Sequence, residues 1–218
     1  MKNPELSIKR KRIWEACQRS SGDQEIQICA VTKGRSPEQI QSLLTDLPDL
    51  KIIGENRYPD CKEAFESVTK KIKRHFIGPL QSNKIKKVLP MIDCLQSVDS
   101  KRLMDKIAEY PVEFLLQVNI SKDPDKSGLD EEKVKPLIEH YLANKGKAKL
   151  RGFMTIGSQS TPASRQRYFA NLRNLFDEIN DEYFKRYPLP TLSMGMSDDY
   201  SLALIEGSTM VRLGSCLF

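Results

Sequence analysis

A lysine closes the stretch I-C-A-V-T-K-G, Ile28 to Gly34, directly after a run of small and apolar residues. Such a run reads as a buried strand, and an ammonium group is costly to take out of water. Lys33 then either finds a partner or gives up its proton, and an unprotonated amine is a nucleophile. The alternative is a surface lysine that follows a strand. Towards the other end, Met194-Gly195-Met196 leads into Ser197 just before a helix signal, and Gly214-Ser215 follows another apolar run. A hydroxyl, the free N–H groups of a helix start and a glycine that lets backbone come close are the parts of an anion site. Ser197 could equally cap the helix, and the two roles can coexist. Asp198 and Asp199 complement the helix dipole but would repel an anion if they pointed inward.

Chemistry shared between residue 33 and residues 197–215 needs elements that bring the two ends of the chain together. Strand-like apolar runs recur at 28–32, 51–56, 75–78, 94–98, 113–120, 150–156, 191–196 and 210–218. Helix signals fall between them. Ser36-Pro37-Glu38-Gln39 is a capping box with proline in the first turn. Thr161-Pro162 opens a helix whose Phe169, Leu172, Phe176 and Ile179 recur at helical spacing. Val134, Leu137, Ile138, Tyr141 and Leu142 form a similar stripe interrupted by Pro136, so that helix starts late or kinks. Segments 60–73, 82–89, 100–109 and 198–206 supply the remaining connections, and an amphipathic helix over about 4–20 precedes the first strand. Strict alternation of strand and helix predicts parallel strands, hence an α/β fold. Eight units fit a (β/α)8 TIM barrel, a single domain over 1–218 with an extra N-terminal helix. An open doubly wound sheet is the rival, disfavoured because no G-x-G-x-x-G or G-x-x-x-x-G-K-[ST] follows the first strand.

In such a barrel function gathers where strands end. Those ends are Thr32-Lys33, Glu55-Asn56-Arg57, Gly78-Pro79, Ser97-Val98-Asp99, Val118-Asn119, Thr155-Ile156-Gly157, Gly195-Met196-Ser197 and Arg212-Leu213-Gly214-Ser215. Polar groups expensive inside the barrel are expected at this rim, and the loops after strands 7 and 8 are the usual phosphate site. Lys33 shares a face with Cys29 and Val31 by alternation. A barrel strand is buried on both faces, so parity leaves lumen and helix layer open.

Composition narrows the class. The 218 residues are 39% hydrophobic with a net charge of +6, enough for a real core. No apolar run approaches the roughly 20 residues of a membrane span. The start, M-K-N-P-E-L-S-I-K-R-K-R, lacks the apolar segment of a signal peptide, so a cytoplasmic protein is expected. Five scattered cysteines and two histidines argue against a disulfide framework and a metal site; most of the cysteines read as small core residues. The clusters K-R-K-R (9–12), K-K-I-K-R (70–74) and K-I-K-K (84–87) read as solvated helix faces, because no aromatic residues interleave them for base stacking.

Taken in order, A-V-T-K-G, I-G-E-N-R, H-F-I-G-P-L-Q-S-N-K, S-V-D-S, D-K-S-G-L, G-F-M-T-I-G, L-S-M-G-M-S-D-D and V-R-L-G-S-C-L-F make a recognisable set. From about residue 26 to the C-terminus the chain resembles the pyridoxal-phosphate homeostasis protein family, small single-domain proteins that bind pyridoxal 5'-phosphate (PLP) and are related to the barrel of alanine racemase. The resemblance implies that Lys33 carries PLP as a Schiff base. It implies that Ser197, Gly214 and Ser215 hold the phosphate, that Arg212 faces the pyridine nitrogen and that Asn56 lies near the ring. His75, Gln81 and Lys84 fall on a family motif without an assigned role, and Lys126 reads as a loop residue. Three features depart from the usual pattern: Ser215 stands where threonine is common, Tyr58-Pro59-Asp60-Cys61 replaces a different polar run, and the chain stops at Phe218.

The function so implied is intracellular PLP homeostasis: a monomer that stores and delivers PLP without substantial turnover. Apo PLP-dependent enzymes would be its partners, with no nucleic acid and no membrane. The alternative is a PLP-dependent enzyme with weak amino-acid racemase activity. Racemisation needs proton donors on both faces of the substrate carbon, and Lys33 is the only amine that stands out. Enzymes sharing this barrel add a second domain, for which residues 1–218 leave no room.

Overall fold

The computed structural model describes residues 4–19, 25–68, 71–144, 146–157 and 160–218. Its strands are β1 (Gln27–Val31), β2 (Ile52–Glu55), β3 (Lys73–Phe76), β4 (Cys94–Val98), β5 (Glu113–Gln117), β6 (Lys149–Met154), β7 (Thr191–Ser193) and β8 (Met210–Leu213). They form a closed barrel in chain order, with every pairing parallel. Closure rests on β1, where Cys29 faces Ile52 of β2 on one side and Arg212 of β8 on the other. The (β/α)8 expectation holds, and the open sheet is excluded. The register between β7 and β8 is thin, a single pair, Ser193 with Met210.

Around the barrel run α1 (Pro4–Arg19), α2 (Pro37–Asp46), α3 (Asp60–Glu66), α4 (Ile85–Val88), α5 (Lys101–Ile107), α6 (Val134–Ala143), α7 (Pro162–Tyr183) and α8 (Tyr200–Ile205). Ser36 makes both halves of its capping box at the start of α2, and Thr161 accepts from the Ser164 amide at the start of α7. α6 starts late: a 3₁₀ turn over Glu131–Lys133 precedes it, which leaves Pro136 in the first turn, where its missing N–H costs no helical bond. Gly78, at the end of H-F-I-G, permits a close approach: a Cβ there would lie 2.1 Å from the Asn56 carbonyl oxygen.

The interior has two compartments. Ile28, Ala30, Ile53, Phe76, Phe114, Phe153 and Val211 belong to the large core between barrel and helices. Cys29, Ile52 and Met210, with Ile77, form one lumen cluster, and Cys94, Leu115 and Met154 form another. Cys29, whose parity Lys33 shares in the sequence, faces the lumen, but the strand ends before Lys33. Lys33 is exposed and begins a turn. Of the two sequence readings, a buried ammonium and a surface lysine after a strand, the structure has the exposed lysine.

Two further expectations change. Arg212, expected among the strand ends at the rim, is buried inside the lumen with His75, Gln96 and Ser193. Burial is tolerable because they hydrogen-bond one another. In K-R-K-R, Arg10 is no solvated residue: its Nε donates to the Leu217 carbonyl at 2.7 Å, and Nη1 reaches Asp46 at 2.7 Å and Ser42 at 3.1 Å. One guanidinium thereby ties α1 to α2 and the C-terminus. Lys70 of K-K-I-K-R lies outside the described residues. Cys17, Cys29, Cys61 and Cys94 are buried and Cys216 is half-buried, all as free thiols. No helix among the described residues is long and apolar enough to cross a membrane.

Candidate cofactor site at the C-terminal rim

The loops after β7 and β8 meet at one hydroxyl. Ser197 Oγ accepts from the Gly214 amide at 3.1 Å and the Cys216 amide at 3.4 Å. Ser197 does not cap α8, which starts at Tyr200 with Asp199 as its N-cap residue and no side-chain cap. Two backbone N–H groups that converge on one oxygen make a cradle for an anion. Gly195 makes the preceding turn possible with φ +92°, and a Cβ there would lie 2.6 Å from Ala203 Cβ. Asp199 raises no barrier to an anion, because its carboxylate is bound within the loop. Oδ1 accepts from the Met196 amide at 2.6 Å, and Oδ2 lies 3.9 Å from Arg165 Nη1.

Arg212 rises from β8 into the lumen and is held on two sides. Nη1 donates to the Ser193 carbonyl at 2.9 Å and to Ser193 Oγ at 2.8 Å, and Nη2 donates to the Thr155 carbonyl at 2.7 Å. Among the described residues Nε makes no protein hydrogen bond. Burial pulls the guanidinium down to about 10, which leaves it charged at neutral pH.

Lys33 reaches the same seam. Val31, two residues before it, packs against Gly214, where a Cβ would lie 3.5 Å from Val31 Cβ. Under the rim, Thr32 Oγ1 donates to Glu55 Oε1. Burial raises the Glu55 carboxyl above its ordinary value, while the Thr32 bond and the Lys33 charge pull the other way.

Of the residues singled out in the sequence, Lys33, Ser197, Arg212 and Gly214 therefore lie along one seam between β1 and β8. Asn56 follows β2, next to β1, and is half-buried. Ser215 is exposed, and among the described residues its side chain has no hydrogen-bond partner. Gln81 and Lys84 line a groove of about 430 Å³ with Asn56, Arg57 and Tyr58, whose ring lies 5.5 Å from Lys84 Nζ. Lys126 Nζ donates to the Gly157 carbonyl at 2.5 Å and so joins the loops after β5 and β6. Sequence reasoning missed the Cys216 amide and the Ser193 and Thr155 partners of Arg212. Backbone donors leave no mark in residue type.

The chain folds as a closed parallel barrel, and the family model described as the alanine racemase N-terminal domain matches residues 14–218. The chain belongs to the pyridoxal phosphate homeostasis protein family. It is 35% identical over 222 residues to the pyridoxal phosphate homeostasis protein of Aquifex aeolicus, covering 98% of this chain and 95% of that one. The protein of that name from Haemophilus influenzae is 32% identical over 224 residues, covering 98% and 93%. The structure of PipY from Synechococcus elongatus with PLP bound superposes with a TM-score of 0.83 at 27% identity, covering 98% of this chain and 99% of that one.

Proposed function

We propose that this chain binds PLP at the seam between β1 and β8 and serves PLP homeostasis inside the cell, holding and delivering the cofactor without sustained turnover. One observation carries the reading: the Gly214 and Cys216 amides converge on Ser197 beside the strand that presents Lys33. A phosphate and an aldehyde on one small ring need such a pairing of anion cradle and amine. PLP supplies a reactive aldehyde and a ring that can withdraw electrons. Lys33 provides the amine that captures the aldehyde. Ser197, Gly214 and Ser215 hold the phosphate, and Asn56 borders the ring.

Arg212 turns the site towards holding rather than turnover. Its Nη1 is committed to Ser193 and one N–H of Nη2 to Thr155, so Nε and the second N–H of Nη2 are the donors left for the pyridine nitrogen. A charged guanidinium favours an unprotonated ring nitrogen and hence a weak electron sink. The naming of the relatives as homeostasis proteins supports the same role. On this reading a single barrel acts as a monomer, and its recipients are apo PLP-dependent enzymes. The test is to incubate PLP-loaded protein with D- or L-alanine and, separately, with an apo PLP enzyme. Restored enzyme activity without racemisation is the expected pair of results. Sustained turnover of either amino acid reverses the assignment.

A further inference from the structure

Lys33 and the anion cradle sit on two separate turns, each closed by a backbone bond. In the first, the Arg35 amide donates to the Thr32 carbonyl at 3.0 Å, with Lys33 and Gly34 in the middle and Gly34 at φ +66°. In the second, the Leu217 amide donates to the Gly214 carbonyl at 2.8 Å. The Gly214 and Cys216 amides of this turn are the two that meet Ser197. The last ladder pair of β1 and β8 is Ala30 with Leu213, short of both turns. A ligand that engages an amine on one turn and an anion cradle on the other needs their spacing fixed beforehand.

Side chains at the ends of the two turns supply that fixing. Arg35, which closes the first turn, lies 4.9 Å from the ring centroid of Phe218, the residue after the second. Arg10 lies 5.8 Å from the same centroid. Both distances fall within the reach of a cation–π contact. Arg10 is 2% exposed, and its Nε donates to the Leu217 carbonyl at 2.7 Å, one residue past the Cys216 amide. The arginine is anchored in turn. Nη1 donates to Ser42 and Asp46 of α2, and Asp46 Oδ1 accepts from Ser7 Oγ of α1 at 2.9 Å. An arginine rooted between two helices thus holds the cradle turn, and the Phe218 ring carries that fixed position across to the turn of Lys33.

We propose, resting on the PLP site assigned to this seam, that Arg10, Arg35 and Phe218 are positioning residues for the cofactor. They form a latch that sets the spacing between the phosphate cradle and Lys33, acting through the two turns. Phosphate distinguishes a latch from ordinary packing, because a ligand that carries the aldehyde alone does not need both turns in register.

The test compares PLP with pyridoxal, which has the aldehyde and no phosphate, by absorbance titration of the full-length chain. Phe218→Leu keeps an apolar side chain and leaves the Arg10–Asp46 pair intact. It is expected to lower the preference for PLP over pyridoxal by about threefold or more, with pyridoxal affinity and the unfolding midpoint close to wild type. Phe218→Tyr should restore the preference. Arg10→Met lowers both the preference and the midpoint, since it also strands Asp46; where it does not fold, Phe218→Leu decides. An unchanged preference in folded Phe218→Leu, a parallel loss of both ligands, or a Phe218→Tyr variant no better than Phe218→Leu overturns the latch. Ser197→Ala separates this step from the site beneath it. A lowered preference there with none at Phe218 removes the latch alone, and an unchanged preference there removes the cradle and the latch with it.

Discussion

Ser197 Oγ and the Gly214 amide lie 3.1 Å apart, a bond that links the loop leaving β7 to the loop leaving β8. The hydroxyl belongs to the rim and not to the helix behind it, since α8 carries no side-chain cap. Ser197→Ala removes one contact to a bound phosphate and leaves the helix start intact. A hydrogen bond to a charged group contributes about 1.5–3 kcal/mol. PLP affinity should fall about tenfold or more in an absorbance titration, with thermal unfolding close to wild type.

Lys33 is exposed and belongs to a turn, so replacing it disturbs little else. Lys33→Ala is expected to keep the far-UV spectrum and the unfolding midpoint. Borohydride reduction of PLP-loaded wild type followed by peptide mapping should place the pyridoxyl group on residue 33. An adduct elsewhere, with residue 33 unmodified, removes the lysine from the site.

Arg212→Gln takes a permanent charge from the ring nitrogen and two donors from Ser193 and Thr155. The absorbance of bound PLP should shift as the nitrogen becomes more basic. Stability should fall by about 2–3 kcal/mol in urea, because buried carbonyls lose their partners. A spectrum identical to wild type means that the arginine does not face the ring.

Arg10 and Asp46 form an ion pair at 2.7 Å with side chains 3% and 17% exposed. Asp46→Ala strands a buried guanidinium, and breaking such a pair costs about 3 kcal/mol or more. The expected result is a lower urea midpoint, with a smaller loss of PLP affinity than in Ser197→Ala, since Arg10 keeps its bond to the Leu217 carbonyl beside the cradle.

His75 sets a limit in acid. Its native value of about 3 lies below the ordinary value of roughly 6.5, so the unfolded chain takes up a proton that the native ring refuses. The contribution is fully present above about pH 6.5 and is lost as pH falls towards 3, reaching about 2 kcal/mol near pH 5. Urea unfolding at about pH 7 and pH 5 measures the slope, and the His75 ring signals should not move over that interval.

Much of the barrel was legible because alternating apolar runs and caps are local properties. Ser36 and Thr161 mark their helices in four letters of sequence, and all eight runs became strands. Some ends ran short, as at β7, because apolar residues continue past the last ladder pair into the rim. The lumen was not legible. Gln96 in C-L-Q-S-V and His75 in H-F-I-G look like polar interruptions until the closed barrel sets them opposite Ser193 and Arg212. The identity of a hydrogen-bond partner on a distant strand has no local signature. The Arg10 clasp escaped for the same reason, since a run of four basic residues gives no hint that one of them turns inward.

The single-pair register between β7 and β8 gives Arg212 a second duty. By gripping the Ser193 carbonyl and hydroxyl from β8, it adds a side-chain rivet to the backbone bonds that cross the seam there. On the proposed reading fastener and vitamin contact are one side chain, so variants selected for looser cofactor retention at this position would also loosen the staves on either side of it.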